Sequence, residues 1–145
     1  MSEKKQPSRH IPDLDFYNFT NTHLPKFGFY ITDLDAIVRT NKNQIMLLEK
    51  KCKLSEPSQC QRITYHFLHG LIIGCNGKPI EIPSLGKIEN WTYYGLHLLQ
   101  FENTSFEDGK AYFDRKEVTK AELVKIFNFD SDRLKIYACG DCGNY

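Results

Sequence analysis

An α/β fold with a mixed central sheet flanked by helices, in a single domain, is what this sequence predicts. Three observations lead there. Two apolar segments of strand length, residues 29–39 and 44–53, flank the turn residues Thr40-Asn41-Lys42-Asn43. A stretch with helical apolar spacing follows at 56–74, and a long strand pattern at 91–102. At 145 residues the chain suits one domain with a modest core.

Residues 1–9 are polar. Residues 10–28 mix aromatics with Pro, Asn, Thr and Asp without a period, so 1–28 reads as an irregular N-terminal segment. The α/β domain is expected over 29–138, with a cysteine-containing tail at 139–145. Segment 29–39 is rich in Ile, Val and aromatics, and 44–53 reads as its antiparallel partner. Side chains alternate across a strand. Asp33 and Asp35 therefore share one face of the first strand, and Glu49 and Lys51 share one face of the second.

Ser55-Glu56-Pro57 reads as a helix start, with Ser55 as N-cap and proline in the first turn. Cys60, Ile63 or Thr64, Phe67, Leu68 and Leu71 supply the apolar spacing of the helix at 56–74. Gly70 and Gly74, one turn apart, suit close packing on a sheet. Asn76-Gly77 closes the helix. Residues 78–90, with Pro79, Pro83 and Gly86, read as loop. Asp108-Gly109 signals a turn before a short strand at 110–113. Thr119-Lys120-Ala121-Glu122 matches a capping box that opens a helix to about Asn128. A last short strand is expected at 134–138.

Composition narrows the function. The formal net charge is +1, which argues against a non-specific nucleic-acid coat protein but leaves room for a local basic groove. The longest apolar candidate, 67–75, is too short for a bilayer and is broken by His69, Gly70 and Gly74. The N-terminus is polar without an apolar h-region, so a cytoplasmic location is expected. The five cysteines then read as thiols.

The chemistry concentrates in the first two strands. Asp35 and Glu49, 14 residues apart, can sit side by side on paired strands joined by a tight turn. Two adjacent carboxylates repel, and a divalent cation relieves that cost. Carboxylate oxygens and water suit Mg²⁺ or Mn²⁺. Lys51, two residues after Glu49, points to the same side. It is placed to hold a water or to neutralise phosphate charge. This is the smallest set of groups that metal-assisted phosphodiester hydrolysis requires.

The pattern resembles the PD-(D/E)XK nuclease superfamily, whose restriction-endonuclease-like core is of αβββαβ type. Its acid falls on Asp35, with Asp33 in reserve, and its E-X-K on Glu49-Lys50-Lys51. Gln61-Arg62-Ile63-Thr64-Tyr65 is a Q-X-X-X-Y ten residues after Lys51, as in the RecB-type branch. The resemblance implies a deoxyribonuclease acting on DNA. Asp35, Glu49, the Lys50 carbonyl and Asp33 would be the metal ligands, and Lys51 would be catalytic. Gln61 and Tyr65 would position the strand, with Lys53 and Arg62 as phosphate contacts. His23 is the candidate for an upstream histidine, ahead of His10. Thr32 stands where the nominal proline would be, and Pro12-Asp13, 36 residues before Glu49, is read as coincidence. No cysteine precedes Cys52, which argues against the iron–sulfur version.

Cys139-Gly140-Asp141-Cys142 is shaped like a zinc knuckle and supplies two of the four ligands a structural Zn²⁺ needs. Two other functions compete with the nuclease. One is an inactive module of the same fold that binds nucleic acid or a nucleic-acid-processing protein. The other is a protein-interaction domain of unrelated fold. A homodimer suits cutting of both strands, and a place in a larger complex suits the module.

Overall fold

The strand pair expected around Thr40–Asn43 forms, but its first strand begins at Ala36, so Leu34 and Asp35, expected inside it, lie before it, and 29–33 fall outside the described residues. A computed structural model describes residues 34–75 and 78–137, together with residues 18, 22 and 23. The chain divides into two compact units, Met1–Ile31 and Thr32–Tyr145. In the first, Asn18, Thr22 and His23 are helical, and the Thr22 hydroxyl donates to the Asn18 carbonyl at 2.8 Å. The second unit carries the α/β architecture.

β1 (Ala36–Arg39) pairs antiparallel with β2 (Gln44–Lys51), from Ala36↔Leu48 to Arg39↔Ile45. The turn closes on Thr40 N–H to Gln44 O at 3.1 Å, with Asn43 at φ 56°. Asparagine tolerates that left-handed conformation better than most residues.

The helix α1 (Gln59–Cys75) starts later than expected. Ser58 is its cap: the Gln61 N–H donates to Ser58 Oγ at 3.2 Å, and the Ser58 N–H donates to Gln61 Oε1 at 3.0 Å. This is a reciprocal capping box. The expected cap, Ser55, instead donates its hydroxyl to the Cys52 carbonyl at 2.8 Å. The reason lies in the chain before it. Lys53 and Leu54 donate to the carbonyls of Asn103 and Phe101 and take positive φ, so backbone still bound to the sheet must turn away first.

The buried face of α1 is also not the expected one. Tyr65, His69 and Ile73 are buried; of the expected residues Leu68 is half-buried against the same cluster, whereas Cys60, Ile63, Thr64, Phe67 and Leu71 are exposed. Gly70 and Gly74 face open space instead of packing on the sheet. Apolar spacing misleads here because tyrosine and histidine bury well once their polar tips find partners.

Residues 78–90 are not all loop. β3 (Ile80–Ile82) and β4 (Gly86–Ile88) form a separate antiparallel pair. Three-residue strands are too short to show a period. β5 (Thr92–Phe101) then lies parallel to β2, as the crossover through α1 requires. Its register shifts between Ile45↔Tyr93 and Leu47↔Leu96. The extra residue on β5 is accommodated at Gly95, at φ +98°.

β6 (Ala111–Phe113) pairs with β5, and β7 (Lys116–Val118) with β6, both antiparallel. The β6–β7 turn carries Asp114 and Arg115, both at positive φ, as a type I′ turn demands. Asp-Arg is not a usual sequence for that turn, so β7 was not legible. α2 (Lys120–Phe127) begins on the expected Thr119/Glu122 capping box. The strand expected at 134–138 does not form over 134–137. The Tyr137 N–H instead donates to the Tyr93 carbonyl at 2.9 Å, beside the Gly95 bulge.

The main sheet has the order β1-β2-β5-β6-β7 and is mixed. On one face Met46, Leu48, Leu99 and Phe113 pack with Leu123 and Ile126 of α2. On the other, Leu47, Tyr93 and Leu96 pack with Tyr65 and Ile73 of α1 and with Tyr137. Alternation along β2 sends Leu47, Glu49 and Lys51 to the α1 side. Among the described residues, no helix is long and apolar enough to cross a membrane.

Candidate functional site

Glu49 lies at the centre of the site and is 2% exposed. A buried carboxylate needs hydrogen bonds and a countercharge. Tyr65 on α1 donates its hydroxyl to Glu49 Oε2 at 2.6 Å. Lys51 places Nζ 2.6 Å from Glu49 Oε1, and also donates to Gln61 Oε1 at 3.4 Å. The Gln61 carbonyl therefore serves two donors, the Ser58 N–H that caps the helix and the Lys51 ammonium. Gln61 and Tyr65 are one helical turn apart, which sets both over the same strand. Tyr65 is 1% exposed and acts on Glu49, orienting its carboxylate.

Asp35 precedes β1, and the β1–β2 register extended by one residue sets it opposite Glu49. Its carboxylate is exposed, and Oδ2 accepts the Lys50 N–H at 2.7 Å. The structure thus brings Asp35, Glu49, Lys50, Lys51, Gln61 and Tyr65 to one neighbourhood. Asp33, His10, Pro12-Asp13, Asn76-Gly77, Cys139 and Cys142 lie outside the described residues. His23 belongs to the other unit. Lys53 is exposed at positive φ. Arg62 points to Glu56, with Nη2 3.5 Å from Oε2.

Three site neighbours escaped the sequence reading. Gln100 lies opposite Lys51 on β5, is 4% exposed, and donates to the Ser55 carbonyl at 3.0 Å and to Glu56 Oε1 at 3.2 Å. Glu56 also accepts Arg115 Nη2 at 2.9 Å. Glu56 thereby gathers Arg62 and Arg115 beside the strand end that carries Lys51. No short-range signal marks them, because the crossover and the β6–β7 turn bring them together.

A metal fit depends on the donors present. Among the described residues, no three His, Cys, Asp or Glu side chains cluster as an ion site. The Asp35 and Glu49 carboxylates and the Lys50 carbonyl are all hard oxygen donors, which suits Mg²⁺ or Mn²⁺. Glu49 has both oxygens occupied, by Lys51 and Tyr65, so the Lys51 ammonium already compensates its charge.

On the same face, His69 is 5% exposed, with Nδ1 2.9 Å from the Tyr93 hydroxyl. Its Nε2 has no hydrogen-bond partner among the described residues. Burial holds the imidazole below its usual pKa of 6.5, aided by the charges of His66, His97 and Lys135. A folded-state pKa below the unfolded one means that the unfolded chain binds the extra proton. The His69 contribution is complete above about pH 6.5 and is lost as pH falls from there through the lower folded value. Thermal melts from pH 7.5 to pH 5 should therefore show a steeper loss in the wild type than in His69→Gln. Parallel curves would refute this account.

His97 is tied elsewhere, on the α2 side of β5. Its Nδ1 is 2.6 Å from Asp114 Oδ2 and its Nε2 2.7 Å from the Tyr94 carbonyl. Asp114 Oδ1 also accepts the Leu98 N–H at 2.9 Å, so this pair pins the β6–β7 turn to β5.

No protein-family model matches the chain, and no solved structure matches it. Among curated proteins, the chain is 25% identical over 119 residues to a coenzyme F420-dependent sulfite reductase of Methanocaldococcus jannaschii. That alignment takes in 80% of this chain and 18% of the reductase, so the chain spans under a fifth of the length of the relative it matches.

Proposed function

We propose that this chain is a small metal-dependent nuclease that hydrolyses DNA phosphodiester bonds, with its sheet of restriction-endonuclease-like type. One observation carries the reading: Glu49 is bonded to Lys51 and to Tyr65, Gln61 holds Lys51, and Asp35, just before β1, accepts the N–H of Lys50 next to Glu49. The order of two strands, helix and parallel strand supports the finer fold assignment.

Asp35, Glu49 and the Lys50 carbonyl would hold Mg²⁺ or Mn²⁺. When bound, such an ion polarises a phosphoryl oxygen and makes water a better nucleophile at neutral pH. Tyr65 orients the Glu49 carboxylate through its 2.6 Å hydrogen bond. Gln61 holds the Lys51 ammonium at the site, where it opposes the charge that develops on phosphate. Lys53, Arg62 and Arg115 supply positive charge at the same end of the sheet for the DNA backbone.

The alternative is an inactive module that binds nucleic acid or a partner protein. The observation in its favour is the closed Lys51–Glu49 pair, which satisfies the buried acid with no ion. The matched stretch is 18% of the sulfite reductase, so that enzyme's activity is not transferred to this chain.

Calorimetry with Mn²⁺ and cleavage of labelled single- and double-stranded DNA test the proposal. Wild-type protein should bind Mn²⁺ and cut, and Glu49→Ala should do neither. Equal Mn²⁺ binding by the two proteins would remove the metal site from Glu49. Binding without cleavage would favour the module.

A further inference from the structure

The face of α1 turned away from the sheet is apolar and uncharged. Ile63, Phe67 and Leu71 follow one another at four-residue steps and are 62%, 70% and 55% exposed. Gly70 and Gly74 beside them face open space. Arg62 is the only Asp, Glu, Lys or Arg in Gln59–Cys75, so no charged side chain follows it for the rest of the helix. Solvent-facing helix surfaces ordinarily carry charge, and a contiguous apolar patch marks an interaction surface.

The pattern of this face indicates what covers it. Its positions are Cys60, Ile63, Thr64, Phe67, Gly70, Leu71 and Gly74, all exposed. They are symmetric about Phe67, the midpoint of the 17-residue helix. Lay a second α1 antiparallel across the first at Phe67. Ile63 then meets Leu71, Thr64 meets Gly70, Cys60 meets Gly74, and Phe67 meets its own copy. Large residues oppose large ones, and each small residue opposes a glycine that allows close approach. A two-fold interface must be complementary to itself, and this stripe is. It also places no charge against its own copy.

We propose that the chain forms a two-fold dimer through antiparallel α1 helices crossing at Phe67. The proposal does not depend on the nuclease reading. A helix of this length is about 25 Å long, and one such pair buries less than the roughly 1,600 Å² of a standard interface. Association should therefore be weak, with a Kd on the order of micromolar.

Sedimentation velocity of the full chain from about 1 to 500 μM brackets that range. The mass should rise from one chain towards two, and Phe67→Glu should weaken association about tenfold or more. Phe67 is exposed, so circular dichroism of that variant should match the wild type. The register is tested by cross-linking with all five native cysteines, Cys52, Cys60, Cys75, Cys139 and Cys142, replaced by serine. In that background Phe67→Cys should oxidise readily to a disulfide dimer. Ile63→Cys should not, because its own copy would sit about 12 Å along the helix, beyond disulfide reach. A single-chain mass throughout, or a dimer untouched by Phe67→Glu, would overturn the proposal and leave the face to a different occupant. Equally fast cross-linking of the two cysteine variants would overturn the antiparallel crossing.

Discussion

Lys51→Ala is expected to lower DNA cleavage by about 10²-fold or more, roughly 2.7 kcal/mol of transition-state stabilisation, while DNA affinity stays close to that of the wild type. The ammonium lies 2.6 Å from Glu49 and is held by Gln61, and the proposed function sets it at the reacting end of the site and not at its rim. A charge used mainly against developing phosphate charge lowers kcat more than it weakens binding. In a module that only binds, Lys51 would be one phosphate contact among several. Its loss would then weaken affinity modestly and reduce the salt slope by about one unit. A second readout follows from burial. Removing Lys51 leaves Glu49 with the Tyr65 hydroxyl but no countercharge, and an uncompensated buried charge is destabilising. Lys51→Ala should therefore melt lower than the wild type without divalent ions and recover part of the loss with Mn²⁺. Cleavage that survives the substitution would place the catalytic lysine elsewhere, with Lys50 and Lys53 next to test. An unrecovered melting temperature would argue that no ion reaches Glu49.

Gly95→Ala is expected to cost about 2–4 kcal/mol of folding stability, from backbone strain at positive φ together with overpacking. Gly95 sits at φ +98°, and a Cβ there would clash with the Tyr137 ring at Cε2. The ring has little room to move. Tyr137 is 7% exposed, its N–H is bonded to the Tyr93 carbonyl, and its ring meets the edge of His69 at 4.9 Å. Urea denaturation of the variant should show a lower midpoint with an unchanged slope. Adding Tyr137→Ala should recover the steric part and leave the backbone part, which a double-mutant cycle separates. A loss below about 0.5 kcal/mol, the range of neutral surface changes, would show that the bulge does not need glycine. The consequence reaches the site. The bulge sets the register that puts Leu98 opposite Glu49 and Gln100 opposite Lys51.

The sequence by itself determined some of the local elements and which residues come together at the candidate site. The β1–β2 hairpin was legible because Thr40–Asn43 is strong turn chemistry between β-rich segments. β5 was legible because a central strand buried on both faces reads as a nearly continuous apolar run. The Thr119/Glu122 cap is a four-residue signal and lay where expected. Asp35, Glu49, Lys51, Gln61 and Tyr65 were legible as a set because strand alternation and helical spacing are short-range rules. Tertiary structure decided the rest. It chose the buried face of α1, because Tyr65 and His69 found Glu49 and Tyr93 beneath them, while the more apolar Ile63–Phe67–Leu71 stripe was left outside. It moved the helix cap from Ser55 to Ser58, because Lys53 and Leu54 still bond to the sheet. It brought Gln100, Glu56 and Arg115 beside Lys51 from as far as 64 residues along the chain. Burial, crossover pairing and bulge register depend on which surfaces meet, and a local run of residues does not specify that.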